Sequence, residues 1–114
     1  MEMCIFCKII NGEIPCDKIF EDEKVLAFKD INAEAPIHVI IIPKKHIISL
    51  NEIDEEDSEL LSHMFLVIKD IAKKAGISEN GYRVVNNCGN NGGQTVPHLH
   101  LHLLGGRNLN WPPG

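Results

Sequence analysis

Between His98 and Leu104 the chain reads His-Leu-His-Leu-His-Leu-Leu, and few arrangements suit that alternation. In an extended strand, side chains two apart share a face. His98, His100 and His102 then project one way, and Leu99, Leu101 and Leu103 the other. The leucine face asks for a core. The histidine face sets three imidazoles in a row at roughly 6.6–6.8 Å per step. A helix would scatter them, because residues two apart on a helix do not face the same way. Three imidazoles on one face can bind a metal, attack an electrophile or grip an anion.

With 114 residues, one domain spanning residues 1–114 and one modest core are expected. The composition, 44% hydrophobic and 24% charged, is that of ordinary globular material. A net charge of −5 argues against wrapping a nucleic-acid polymer, which takes clustered Lys and Arg. It leaves room for a small phosphate ligand held by backbone N–H groups. No apolar run approaches the roughly 18–20 residues of a membrane span, so no membrane partner is expected. Met1-Glu2-Met3-Cys4 lacks the basic and apolar regions of a signal peptide. A cytoplasmic protein with reduced cysteines is therefore expected.

The elements follow from periodicity and punctuation. A short helix is predicted from Ile5 to Asn11, stopped by Gly12. Lys18 to Glu21 and Val25 to Lys29 read as a hairpin across Asp22-Glu23-Lys24. Ile37 to Ile42 reads as a central strand buried on both faces. A long helix is predicted from about Glu55 to Ala75, with Asp54 as N-cap and Gly76 as stop. Its apolar stripe is Leu61, Met64, Phe65, Ile68, Ile71, Ala72 and Ala75. Asp54-Glu55-Glu56-Asp57 reads as a solvated helix start, and His63 as a surface residue. Tyr82 to Asn87 reads as a strand, Cys88 to Gly93 as a turn-rich loop, and the histidine stretch as the next strand. The order suggests an α+β fold with a mainly antiparallel sheet.

The histidine stretch, with Gly93-Gln94-Thr95 before it, Gly105-Gly106-Arg107 after it and Trp111-Pro112-Pro113-Gly114 at the end, resembles the histidine triad (HIT) family. Ile5-Phe6-Cys7-Lys8-Ile9-Ile10 and Gly12-Glu13-Ile14-Pro15 extend the likeness over nearly the whole chain. The flanks and tail resemble the Hint branch, the purine nucleoside phosphoramidases. The resemblance implies a five-stranded sheet with one long helix and a short N-terminal helix. It also implies a homodimer carrying a ten-stranded sheet.

The chemistry suits the residues. A histidine of ordinary pKa, near 6.5, offers an unprotonated nitrogen close to neutral pH, and that nitrogen can attack phosphorus without a separate base. His100, central on the histidine face, is the natural nucleophile. The resemblance implies a covalent nucleotidyl-histidine there, with the other ring nitrogen donating to the carbonyl of His98. His102 and the hydroxyl of Thr95 would donate to the phosphate and its developing charge. Gly93 and Gln94 would bring backbone and amide donors to the same phosphate. By the same resemblance Asp30 binds the ribose, Ile31 walls the base, Asn87 contacts the phosphate, and Trp111 reaches the partner's site on a stiff tail. Asn86, beside Asn87, points the opposite way and is given no role. The expected ligands are purine nucleoside monophosphates and their phosphoramidates. The alternatives are a dinucleotide polyphosphate hydrolase of the same family and a non-catalytic nucleotide- or zinc-binding module.

Cys4-Ile5-Phe6-Cys7 supplies two thiols at zinc-ligand spacing, with a redox pair or two packed thiols as the other readings. Many animal Hint proteins lack the second of these cysteines. Zinc-binding members of the wider superfamily join such a pair to two histidines, which implies a structural zinc on Cys4, Cys7, His46 and His98. Cys16 and Cys88 are isolated and carry no assigned role.

Overall fold

The computed structural model describes residues 4–114; Met1, Glu2 and Met3, on which the reading of the N-terminus rests, lie outside them. Five strands form one sheet: β1 (Lys18–Glu21), β2 (Val25–Lys29), β3 (Ile37–Pro43), β4 (Tyr82–Val85) and β5 (Leu101–Gly105). Their order across the sheet is β1-β2-β3-β5-β4, and every pairing is antiparallel. Two helices flank the sheet, α1 (Ile5–Ile10) and α2 (Ser58–Lys74). The predicted α+β class is observed. No helix among the described residues is long and apolar enough to cross a membrane.

The sheet separates two cores. Helix α2 lays Met64, Val67, Ile68, Ile71 and Ala72 on Val25, Ala27, Val39, Ile41, Leu101 and Leu103. On the other face, Cys4 and Phe6 of the α1 region cover Leu26, Phe28, Ile40 and Ile42. This two-sided burial explains the unbroken apolar run of β3, which has no solvent face to supply polar residues.

The long helix starts later than predicted. Asp54 caps a short 3₁₀ turn, Glu55–Asp57, by accepting from Glu56 N at 3.0 Å, while Asp57 Oδ2 accepts from Asp54 N at 3.1 Å. These reciprocal bonds satisfy N–H groups that a helix start leaves free. At the other end Gly76 takes φ +77° and Ile77 N donates to Ala72 O at 3.1 Å, closing the helix as predicted with a left-handed residue. The predicted stripe is misplaced at Phe65, which is 52% exposed. Val67 is buried and belongs to the core instead. Residues 64, 67, 68, 71 and 72 define the face toward the sheet, and Phe65 stands one step, about 100°, around the helix from Met64. Ala75 is also exposed.

Two strand boundaries depart from expectation. β4 ends at Val85 rather than Asn87, and β5 begins at Leu101 rather than His98. The last rungs are Val85↔His102 and Ile41↔Leu101. His98 and His100 thus stand on an irregular segment after Pro97, which has no N–H for a ladder.

Candidate active site and metal centre

That segment is held by side chains and single backbone bonds. Leu99 N donates to Ile47 O at 2.6 Å and His98 N to Val96 O at 2.8 Å. The Asn86 side-chain amide donates to His100 O at 3.0 Å. Phe6 of α1 lies edge-on to His98 and His100, with ring centroids 5.9 and 5.1 Å away. His102 follows at 5.1 Å from His100. The three imidazoles thus remain a contiguous group on the α1 side, although only His102 lies within the strand.

His100 Nδ1 lies 2.7 Å from His98 O. A nitrogen facing a carbonyl must carry the proton, so Nε2 keeps its lone pair. Nε2 has no hydrogen-bond partner among the described residues. Burial holds the ring's pKa below its ordinary value, opposed by the carbonyl bond, which keeps the lone pair available at neutral pH.

His38, to which sequence reasoning gave no role, completes the arrangement. Glu34 N donates to His38 Nδ1 at 3.0 Å, so His38 carries its proton on Nε2. That atom lies 2.9 Å from His102 Nδ1 and 3.3 Å from Asp30 Oδ2. His102 Nδ1 accepts, and its own proton therefore sits on Nε2. Burial, with repulsion from His100 and His38, pushes His102 down to about 4, so it is a neutral donor at pH 7. The signal for His38 is its place two residues before Ile40, the residue that pairs with His102; only the strand register reveals it.

Asp30 follows β2, and its Oδ1 accepts from Asn32 N at 2.8 Å. It is a turn residue and a neighbour of His38 together. Ile31 beside it is 95% exposed. Asn87 Nδ2 donates to Gly92 O at 2.6 Å, and Thr95 is exposed. A Cβ on Gly92 would lie 2.4 Å from Cys88 O, so this turn admits only glycine there. The loop donors expected for a phosphate are otherwise engaged. Gly93 N donates to Asn90 O at 3.1 Å, and Gln94 N to Gly89 O at 3.0 Å. The Gln94 amide donates to Ile48 O and Val96 O at 2.8 and 3.0 Å and accepts from Gly89 N at 3.0 Å. Gly93 and Gln94 thus make the bonds that shape the loop. Trp111 is 80% exposed, on a tail whose start is clipped by Arg83 to Asn110 O at 2.9 Å.

The four predicted metal-ligand residues converge. Cys4 Sγ lies 3.4 Å and Cys7 Sγ 3.6 Å from His98 Nδ1. His46 Nδ1 lies 3.2 Å from Cys7 Sγ and 3.1 Å from His98 Nδ1. Zinc bonds of 2.0–2.3 Å in a tetrahedron set donor separations of roughly 3.3–3.8 Å; the two His98–thiol separations fall in that range, the two to His46 a little below it, and the donor atoms are the right ones. His98 Nε2 donates to Pro43 O at 2.8 Å, which turns the Nδ1 lone pair inward, as an outer partner of a metal-bound histidine does. Burial and neighbouring Cys4 push the Cys7 thiol up, a penalty that a bound cation reverses. The residues fit a divalent metal of zinc's preferences.

The antiparallel sheet, the two-sided core and the histidine group at the start of β5 together define a class. The family model described as "Scavenger mRNA decapping enzyme C-term binding" matches residues 3–109, and the chain belongs to the histidine triad family. It is 53% identical over 113 residues to an uncharacterised HIT-like protein of Synechococcus elongatus, covering 99% of this chain and 98% of that one. It is 53% identical over 112 residues to a 14 kDa zinc-binding protein of Zea mays, covering 96% and 87%. The structure superposes on a HIT family hydrolase from Legionella pneumophila with a TM-score of 0.96 and 54% identity, covering 97% of this chain and 99% of that chain.

Proposed function

We propose that the chain is a purine nucleoside phosphoramidase, cleaving the P–N bond between a nucleoside monophosphate and an amine. The observation that carries this reading is the His100 ring, anchored through Nδ1 at 2.7 Å to the carbonyl of His98. Its free Nε2 attacks phosphorus. An Nε2–P bond forms, the P–N bond breaks, and the amine departs with the electron pair and takes up a proton. Water then attacks phosphorus and gives up a proton to solvent, the Nε2–P bond breaks with its electron pair returning to Nε2, and the nucleoside monophosphate leaves. His102 Nε2–H donates to a phosphate oxygen as charge develops, and His38 holds that tautomer. Thr95 offers its hydroxyl to the phosphate or leaving group, and Asn87 lies at the start of the phosphate loop. Asp30 retains acceptor capacity for the ribose hydroxyls, and exposed Ile31 lies against the base.

Rapid quenching during turnover of adenosine 5′-phosphoramidate tests the reading. A nucleotidyl adduct on His100 is expected. Turnover without any adduct, or faster turnover of a diadenosine polyphosphate, would overturn it.

In the same reading Cys4, Cys7, His46 and His98 hold zinc, which supplies a cross-link between α1, the segment after β3 and the segment before β5. The protein works in the cytoplasm as a homodimer joined along β4. That edge has no strand partner among the described residues, whereas β1 is blunted by the Lys18–Glu21 and Lys44–Glu21 ion pairs. Pairing β4 with its copy yields ten strands and gives exposed Trp111 a surface to dock on. Sedimentation at micromolar concentration is expected to find a dimer; a monomer would refute it.

A further inference from the structure

We propose that Asn86 is a positioning residue: its side-chain amide replaces a missing rung of the β4–β5 ladder and holds the backbone of His100 for attack. The proposal rests on the phosphoramidase reading. Backbone pairing between β4 and β5 stops at Val85↔His102, two residues short of the nucleophile. There the chain leaves the sheet to build the loop from Asn87 to Gly93. Asn86 is the last residue before that departure, and its Nδ2 lies 3.0 Å from His100 O. Only the NH₂ end of the amide can face a carbonyl, so the orientation follows from the contact.

The other end of the same side chain says what the residue is for. Asn86 Oδ1 is buried and has no hydrogen-bond partner among the described residues. A buried acceptor without a donor costs stability, and a leucine of similar size would not carry that cost. Leucine would in turn leave the carbonyl of buried His100 without this donor, so what asparagine supplies here is the bond to His100. The two anchors on His100 divide the work. His98 O fixes the ring through Nδ1, and Asn86 fixes the main chain from which the ring projects. A reacting nitrogen displaced by a fraction of an ångström loses rate steeply, up to roughly 10²-fold for 1 Å.

Three variants test this: Asn86→Leu, Asn86→Asp and Asn86→Gln. Asn86→Leu should fold and bind AMP within about twofold of wild type, with kcat lowered on the order of tenfold. Asn86→Asp, which keeps the shape without the donor, should lose kcat as well. Asn86→Gln, which keeps the donor on a longer arm, should recover part of it. A wild-type kcat in Asn86→Leu overturns the proposal, or in Asn86→Asp should the leucine variant not fold. Imidazole ¹⁵N spectra provide a reading independent of turnover. The protonated His100 Nδ1 signal should be sharp in the wild type and broadened in Asn86→Leu. If the wild type cleaves no phosphoramidate, the functional reading fails, and an unchanged His100 signal in Asn86→Leu then refutes the positioning role separately.

Discussion

Replacing His100 with Ala or Asn should abolish phosphoramidate turnover by several orders of magnitude while nucleotide binding survives. His100 is the one imidazole of the group whose outward nitrogen is both unprotonated and unengaged among the described residues. His98 spends its nitrogens on Pro43 O and on the cysteine cluster, and His102 spends one on His38. Neither can substitute as nucleophile without breaking the contacts that orient it. In the serine-protease precedent, loss of the nucleophile leaves roughly 10³–10⁴ of catalysis from the surroundings, and His102, Thr95 and Asp30 would supply that residue here. Steady-state kinetics beside AMP titration separate the two effects. A His100→Ala variant with wild-type kinetics would refute the assignment.

The second large effect is expected at the cysteines. Protein purified without chelator or a poly-His tag should contain about one zinc per chain, and Cys4→Ser with Cys7→Ser should remove it. Structural metal binding is coupled to folding, and a metal held by this cluster would fasten three segments that no ladder joins. The HIT core remains without it, so the chain should still fold. A loss of about 2 kcal/mol would lower Tm by roughly 8 °C in a chain of this length. Elemental analysis and calorimetry on the same samples decide the matter. Metal content unchanged by the double substitution would refute the site.

The sheet and both helices were legible because their signals are local. Alternation marked the histidine stretch, an unbroken apolar run marked β3, and Asp54 and Gly76 marked the ends of the helical region. Phe65 falls outside the buried face because helical spacing defines a stripe only to within one residue; which edge of it meets the sheet is a property of packing. The late start of β5 was not legible either, since it depends on where β3 and β4 run out of partners. His38 and Asn86 escaped for a related reason. Each acts on a residue of another strand, so its significance lies in the register between strands. Gln94 stands out in the sequence for its place beside the histidines, but its amide bonds with Ile48, Val96 and Gly89 are contacts that no local pattern encodes.

His98 faces two ways. Its ring belongs to the cysteine cluster, and its carbonyl belongs to His100. The ring is also moored from the opposite side by Pro43 O at 2.8 Å. An irregular segment tied at two points should tolerate the loss of either at rest and show the loss only under load. Heat supplies that load. A chain stripped of its thiol ligands would keep its nucleophile aligned in the cold and lose that alignment on warming before the sheet itself melts. On this reading the cluster would set the working temperature of the site more than its chemistry, and the two cysteines would act as a thermal fastening for an imidazole they never touch.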